Sequence, residues 1–448
     1  MSGSKKIIIT LIAILLTSGL SSLAARADKA KEVFSQWHKK TASEKVHTLE
    51  MLNKAGRYDV LEKLLTDPTY SRTINPAQRM FFLGLVYKSQ KKYKDTVAIY
   101  RKVLTNNPGF NRIRLELAHT LFLMKEYTSA KHHFDLVIAS SDNKDFRLRV
   151  QKFIDAIYKK RKWQVSAYAS LVPSTNINNG TSTETIYVNG IPFTIDDASK
   201  EKSGIGLSAG VNAGYAFSLT DKLDWVVGGG VHIKQYKGEE FDDNILSVEM
   251  GPRYRFQSGY IGIYATAMRR WYAGEEYGYN WGGRVHGSYR LGSKNVLFSD
   301  ISCQNKKHDE QDWKDGHSCN VGTSLDHYLN SKSFVRVLGG AGLDKNEVEH
   351  LDYNMGYAGL GLYRELPMGI SLYAEGKYMH FDYDGVSPGL TEGRLDQRYL
   401  ATLHITKRDW NYMGYAPMLQ YQYIYNDSNS DINTFDSHNV NLTLTKNF

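Results

Sequence analysis

Residues 245–256 read ILSVEMGPRYRF, and the way their side chains alternate decides the architecture of the carboxy-terminal half. In an extended chain Leu246, Val248, Met250, Tyr254 and Phe256 share one face, while Ser247, Glu249, Arg253 and Arg255 share the other. A soluble sandwich alternates too. The charged second face favours a strand with lipid on one side and a wet lumen on the other.

The same alternation places Trp163, Val165, Ala167, Ala169 and Leu171 opposite Gln164, Ser166, Tyr168 and Ser170. About fourteen such runs follow one another, the first near 163–172 and the last near 435–448, an even number as bacterial barrels require. Tight turns fall after even-numbered strands, at LTDK, QSG, LGSK, LNSK and LPMG, whereas longer polar loops follow the first, seventh and eleventh strands. That asymmetry predicts an antiparallel transmembrane β-barrel over 163–448, with short turns in the periplasm and long loops outside the cell. Of 31 Tyr, 24 lie after Trp163, as aromatic girdles at two membrane interfaces would require. The terminal run carries Val440, Leu442 and Leu444 outward and ends on Phe448, resembling a barrel assembly signal, although Lys446 departs from that pattern.

Working towards the amino terminus, the period changes to helical. Leu83, Gly84, Tyr87, Tyr93, Tyr100 and Pro108 stand at the spacings of a tetratricopeptide repeat, and 34 residues later Ala118, Tyr127, Ala130, Phe134 and Val137 replace Gly84, Tyr93, Thr96, Tyr100 and Val103. Small residues let paired helices approach, and aromatics fill the gap between pairs. LNKAGRYDVLEKLLTDP reads as a degenerate earlier copy and DFRLRVQKFIDAIYKKRKW as a capping helix, which gives a helical domain over 28–162. Such an array either binds an extended peptide in its groove or docks onto a neighbouring domain.

Before it, Lys5 and Lys6 precede the apolar run Ile7–Leu16, and Ala25-Arg26-Ala27 closes a predicted signal peptide, residues 1–27, cleaved before Asp28. About ten apolar residues are short against the ~20 of a membrane-spanning helix. The net charge of +9 is unevenly divided. Residues 28–162 hold 28 Lys and Arg against 14 Asp and Glu, and the remainder from Trp163 holds 25 against 33. A basic helical domain facing anionic headgroups or an acidic client is one reading, a solvated surface the other. The KKRK at 159–162 either meets inner-leaflet phosphates or is a basic linker. Nothing resembles a nucleic-acid module, so nucleic acid is not an expected partner.

Cys303 and Cys319 flank the loop between the seventh and eighth strands, and a disulfide there, closing 15 residues, would contribute about 3 kcal/mol. The search for chemistry finds no phosphate loop, zinc spacing or nucleophile elbow, so neither catalysis nor a cofactor is expected. His132-His133 lies on a repeat helix, where water or a neighbour is a simpler partner than a metal. Glu239-Glu240, Asp242-Asp243 and Glu275-Glu276 are placed in exterior loops. Lumen-facing Glu249, Arg253, Arg255, Glu375 and Lys377 either shape a pore or pair with one another.

The first barrel strand runs into SLVPSTNINNGT, residues 170–181. Pro173 is expected to end ladder pairing, and the Asn side chains to satisfy local backbone and tolerate left-handed geometry, fixing a bend at the rim. Pro173, Asn176, Ile177, Asn178 and Asn179 resemble the Pro-x-x-Asn-Ile-Asn signature of the surface lipoprotein assembly modulator family, the outer-membrane component of type XI secretion. Signal, short repeat domain and barrel together extend the resemblance over nearly the whole mature chain. It implies a non-enzymatic outer-membrane translocator with its helical domain in the periplasm. Its clients would be surface lipoproteins or secreted haem- and metal-capturing proteins, and its helpers the barrel assembly machinery and periplasmic chaperones. The competing architectures are a repeat-bearing porin for polysaccharide export and a passive porin.

Overall fold

The computed structural model describes residues 30–188, 191–197, 199–387, 390–410, 412 and 415–445. The expected signal peptide, Lys446 and Phe448 lie outside the described residues. By compactness the chain divides after Val103.

In the first unit, α1 (Ala42–Lys54) opens on a capping box in which Thr41 and Glu44 satisfy each other's backbone N–H. Next come α2 (Tyr58–Thr66), the short α3 (Pro68–Ser71), α4 (Pro76–Ser89) and α5 (Tyr93–Asn106), whose last residues belong to the second unit. Asn75 caps α4 and Pro76 starts it. Gly84 is required by packing: a Cβ there would stand 2.3 Å from the fully buried Tyr100 ring. Gly56, Lys91 and Lys125 all have positive φ, at 67°, 61° and 64°. Each lies two residues before the tyrosine that opens the next helix, so the same left-handed turn recurs in all three copies of the repeat.

The second unit holds α6 (Asn111–Leu123), α7 (Tyr127–Ala139), α8 (Lys144–Lys160) and the barrel. Ala118, Ala130 and Phe134 are buried, and the Phe134 and Phe153 rings stack at 5.3 Å. None of the described helices is long and apolar enough to cross a membrane.

The barrel comprises fourteen antiparallel strands and closes on itself. They are β1 (Trp163–Ser174), then β4 (Gly204–Ser218), β5 (Leu223–Tyr236), β6 (Asp243–Phe256), β7 (Gly259–Tyr272), β8 (Glu275–Leu291) and β9 (Asn295–His308). The circuit continues with β10 (Gly316–Asn330), β11 (Ser333–Asn346), β12 (Tyr353–Glu365), β13 (Ile370–Tyr383), β14 (Leu395–Lys407), β15 (Ala416–Ser428) and β16 (Phe435–Thr445). Each pairs with its sequence neighbours, and β1 closes the circuit between β4 and β16. Closure leaves no free edge, the condition for a sheet to stand in a membrane. Leu246, Val248, Met250 and Tyr254 are exposed on the outer face, as are Ile205, Leu207 and Val211 of β4. The apolar alternation thus forms an outer belt, and a closed barrel with such a belt is an outer-membrane architecture.

Four expectations need correction. The loop after β1 contains a hairpin, β2 (Thr185–Val188) paired with β3 (Ile191–Thr194). Its four-residue strands are too short to show a period. Ladder pairing does not stop at Pro173: Pro173 pairs with Ile205 and Ser174 with Gly204, because proline lacks only a donor and keeps its carbonyl. Glu275 and Glu276 begin β8, since Ala273 and Gly274, both with positive φ, form a two-residue turn. Asp243 likewise begins β6, where Arg270 holds it at 2.8 Å.

Candidate functional site

The barrel encloses a polar lumen whose charges are largely paired. Arg253 and Arg255 converge on Asp224, at 3.0 and 2.9 Å. Arg284 bridges Asp300 at 2.7 Å and approaches Glu249 at 3.6 Å. Glu375 accepts from the Tyr373 hydroxyl, and Lys377 lies 5.3 Å from the Tyr357 ring centroid. A cavity of about 530 Å³ remains beside β1 and β4–β9, lined by Gln164, Asn212, Glu249, Arg284 and Asp300 among others. Sequence reading found Glu249, Arg253 and Arg255 but missed Asp224, Arg284 and Asp300, which no motif distinguishes from other charges in strands.

At the short-turn rim, α7 reaches into the barrel mouth. Leu136 and Ala139 pack in one buried cluster with Val296, Tyr328 and Phe334. The neighbouring Leu291, Leu329 and Val337 are exposed on the outer face, so alternation makes Arg290, Tyr328 and Phe334 inward-facing. Asp135 takes the Arg290 guanidinium and, at 2.8 Å, the Lys131 ammonium. Burial pushes the Asp135 carboxyl up, but Lys131 and Arg290 outweigh it and hold the group below the usual carboxylate range. Burial pulls Lys131 down, and the Asp135 charge more than restores it, leaving it above the usual lysine range. Burying Leu136 contributes about 2 kcal/mol to the seating of α7.

A second clasp lies deeper. Arg114 of α6, fully buried, donates to Glu365 at 2.6 and 3.1 Å, and Arg408 donates to the same carboxylate at 3.0 Å. Tyr363 adds a hydroxyl at 3.3 Å. The contacts continue around the rim: Ser258 N–H donates to Asp155, Tyr158 packs on Tyr260, Lys159 meets Asp221, and Gly369 N–H donates to Thr105 O. From β4–β5 to β12–β13, every short-turn hairpin is touched by the helical segment, through its turn or through the strand ends beside it. Two of the four KKRK cations pair with barrel carboxylates, Lys159 with Asp221 and Lys162 with Asp224, and Arg161 lines the lumen cavity. Arg114 left one trace in the sequence, a charge on the helix stripe of Ile113, Leu117, Ala118 and Leu121; Glu365 left none.

His132, His133 and Glu365 bring possible ligand atoms within 4.8 Å of one another. Arg114 and Arg408 already occupy the carboxylate, and two guanidinium charges at bonding distance oppose a cation there.

The signature loop stands at the opposite rim. Asn176 is buried; its amide donates to Gly180 O at 2.8 Å and to Asp436 O at 2.9 Å, and its carbonyl accepts from Gly180 N–H. Asn178 bridges Lys200 O and Lys202 N–H, and Asn179 is left-handed with φ 51°. Ile177 N–H donates to Lys202 O at 2.7 Å. The loop thereby ties β1 to the start of β16. Cys303 and Cys319 are directly opposed on β9 and β10 and joined in a disulfide. Val440, Leu442 and Leu444 lie on β16, with Leu442 and Leu444 exposed outward. In the repeats, Leu83 and Tyr87 lie on α4, Tyr93 opens α5, Tyr127 opens α7, and Pro108 O accepts from Arg114.

Comparison with known proteins agrees with this architecture. Residues 163–448 match the family model described as Surface lipoprotein assembly modifier, and residues 51–134 match that family's N-terminal TPR repeats. The chain is 23% identical to Surface lipoprotein assembly modifier 1 of Haemophilus influenzae, over 80% of this chain and 74% of that one. It is 21% identical to Surface lipoprotein assembly modifier 1 of Neisseria meningitidis, over 82% and 75%. With its barrel matched from first strand to last, the chain belongs to the Surface lipoprotein assembly modifier family.

Proposed function

We propose that the protein is a non-enzymatic translocator that delivers surface lipoproteins across the outer membrane, as the barrel component of a type XI secretion system. The observation that carries this reading is a helical-repeat segment seated inside the mouth of a family-matched barrel. A passive porin needs an open mouth; a polypeptide translocator needs a mouth that stays shut between clients. The short-turn rim and the helices face the periplasm, and the long loops face the medium. The excess of lysine and arginine in the helical region suits capture of an acidic, incompletely folded client handed over by periplasmic chaperones. Folding of the barrel itself uses the barrel assembly machinery, and its outer belt contacts membrane lipids. Secreted haem- or metal-binding proteins form a second client class under this reading.

The test is display of a candidate client in a reporter bacterium with and without this protein, read by protease accessibility on intact cells at matched client expression. Accessibility that depends on this protein supports the proposal. Clients that remain periplasmic while a polysaccharide or ions cross would replace it with an export porin or a passive porin.

A further inference from the structure

With Lys159 and Lys162 paired to barrel carboxylates and Arg161 beside the lumen, the basic run at 159–162 is turned towards the barrel. The start of α8 is placed differently. Between it and the turns after β6 and β8 lies a cavity of about 380 Å³, within the roughly 300–1,000 Å³ range of small-molecule sites. Lys144, Arg147 and Leu148 line it from the helix, Tyr289 from β8, and Gly292 and Ser293 from the β8–β9 turn. Tyr289 and Leu291 are each 42% exposed on the outer face, so this part of the wall is the short-turn edge of the apolar belt. The cavity therefore borders the level at which bilayer hydrocarbon gives way to headgroups.

The charges facing it are of one sign. No carboxylate among the described residues lines the cavity, and Asp142 and Asp145 are exposed outside its wall. Arg290 also reaches it, but Asp135 holds that guanidinium. Lys144 and Arg147 form no ion pair among the described residues. The Arg147 guanidinium donates to Ser141 O at 3.2 Å, a neutral partner that leaves its charge uncompensated. Leu148 beside them is 45% exposed. Two cations around an exposed leucine and an interfacial tyrosine match a molecule with phosphate at one end and hydrocarbon at the other. A free anion accounts for only half of that lining.

We propose that this cavity binds an anionic phospholipid, whose phosphate meets Lys144 and Arg147 while its chains lie along Leu148 and Tyr289. The site needs only a barrel standing in a membrane; that the leaflet is the periplasmic one rests on the orientation proposed above. A lipid held here touches α8 and the β8–β9 turn at once, so it adds to the seating of the helices beside the Asp135–Arg290 pair.

The test is hydrogen exchange of the amides in the first turns of α8, in full-length protein held in nanodiscs of phosphatidylcholine alone or with phosphatidylglycerol added. Each basic residue at an anionic surface is worth about fivefold in an equilibrium, so two predict roughly thirtyfold slower exchange with phosphatidylglycerol. Lys144→Gln with Arg147→Gln should abolish that slowing, and Lys144→Arg with Arg147→Lys should keep it. Compact gel mobility of the barrel confirms that both variants fold. Arg149→Gln with Lys152→Gln, an equal charge loss on the same helix outside the cavity lining, should also keep it. Slowing that is absent in the wild type, or unchanged in Lys144→Gln with Arg147→Gln, overturns the proposal. Equal loss in both glutamine pairs overturns it too, because a diffuse basic surface would then suffice. Slowing by inorganic phosphate in plain phosphatidylcholine discs also overturns it, since the ligand would then have no lipid part. The readout needs no client, so it stands apart from the translocator reading.

Discussion

Replacing Glu365 with Gln tests the deeper of the two clasps that seat the helices in the barrel mouth. The carboxylate is fully buried and accepts from Arg114 at 2.6 and 3.1 Å and from Arg408 at 3.0 Å. Removing one partner of a buried ion pair costs about 3–5 kcal/mol because the remaining charge is left without compensation. Glutamine keeps an acceptor for one guanidinium, so the lower end applies, and about 3 kcal/mol corresponds to roughly a hundredfold rise in the undocked population. The assay is hydrogen exchange of the α7 amides in the purified full-length protein, where local opening is read directly. Glu365→Gln and Arg114→Met should each accelerate exchange in α7 by about that factor. Arg269→Gln, which touches the half-exposed pair with Glu276 at the opposite rim, should leave it unchanged. If α7 protection is the same in wild type, Glu365→Gln and Arg114→Met while the barrel remains folded, the clasp does not hold the helices and the reasoning fails.

Acid should release the outer clasp. The docked Asp135 carboxyl is held below its free value, so its contribution is present above the ordinary aspartate pKa of about 3.9 and is lost as pH falls through the docked value. Exchange of α7 is therefore expected to rise on acidification towards about pH 3, and Asp135→Asn should flatten that dependence. Asn176→Ala removes both amide donations and leaves Gly180 and Asp436 carbonyls unmet, costing about 1–3 kcal/mol. It should lower the temperature at which the barrel loses its compact mobility in detergent gels, and an unchanged temperature would contradict its role in joining β1 to β16. Gly84→Ala pushes a methyl into the Tyr100 ring and should destabilise the helical repeats by about 1–3 kcal/mol. Thermal circular dichroism measures that loss, and Tyr100→Leu in the same chain should recover part of it.

The elements themselves were legible because their periods are local. Alternation at Leu246, Val248 and Met250 against Ser247 and Glu249 needs only neighbouring residues to read, and closure of the barrel follows from repeating it about fourteen times. The 34-residue recurrence of Tyr93 as Tyr127 is likewise a property of the chain alone. Asn176 was visible as a turn former, yet its bond to Asp436 joins residues 260 positions apart, and no local pattern marks the partner. The mouth was less legible still. Arg114 and Glu365 are 251 residues apart and belong to elements of different period, so neither helix nor strand reading assigns one to the other. The sequence by itself determined a helical repeat followed by a lipid-facing barrel, since patterning within each segment dictates which face avoids water. Only the tertiary structure decided that the last repeat enters the barrel mouth and that Asn176 ties β1 to the start of β16. Both depend on buried charges and backbone donors finding partners far along the chain, which folding alone brings within bonding distance.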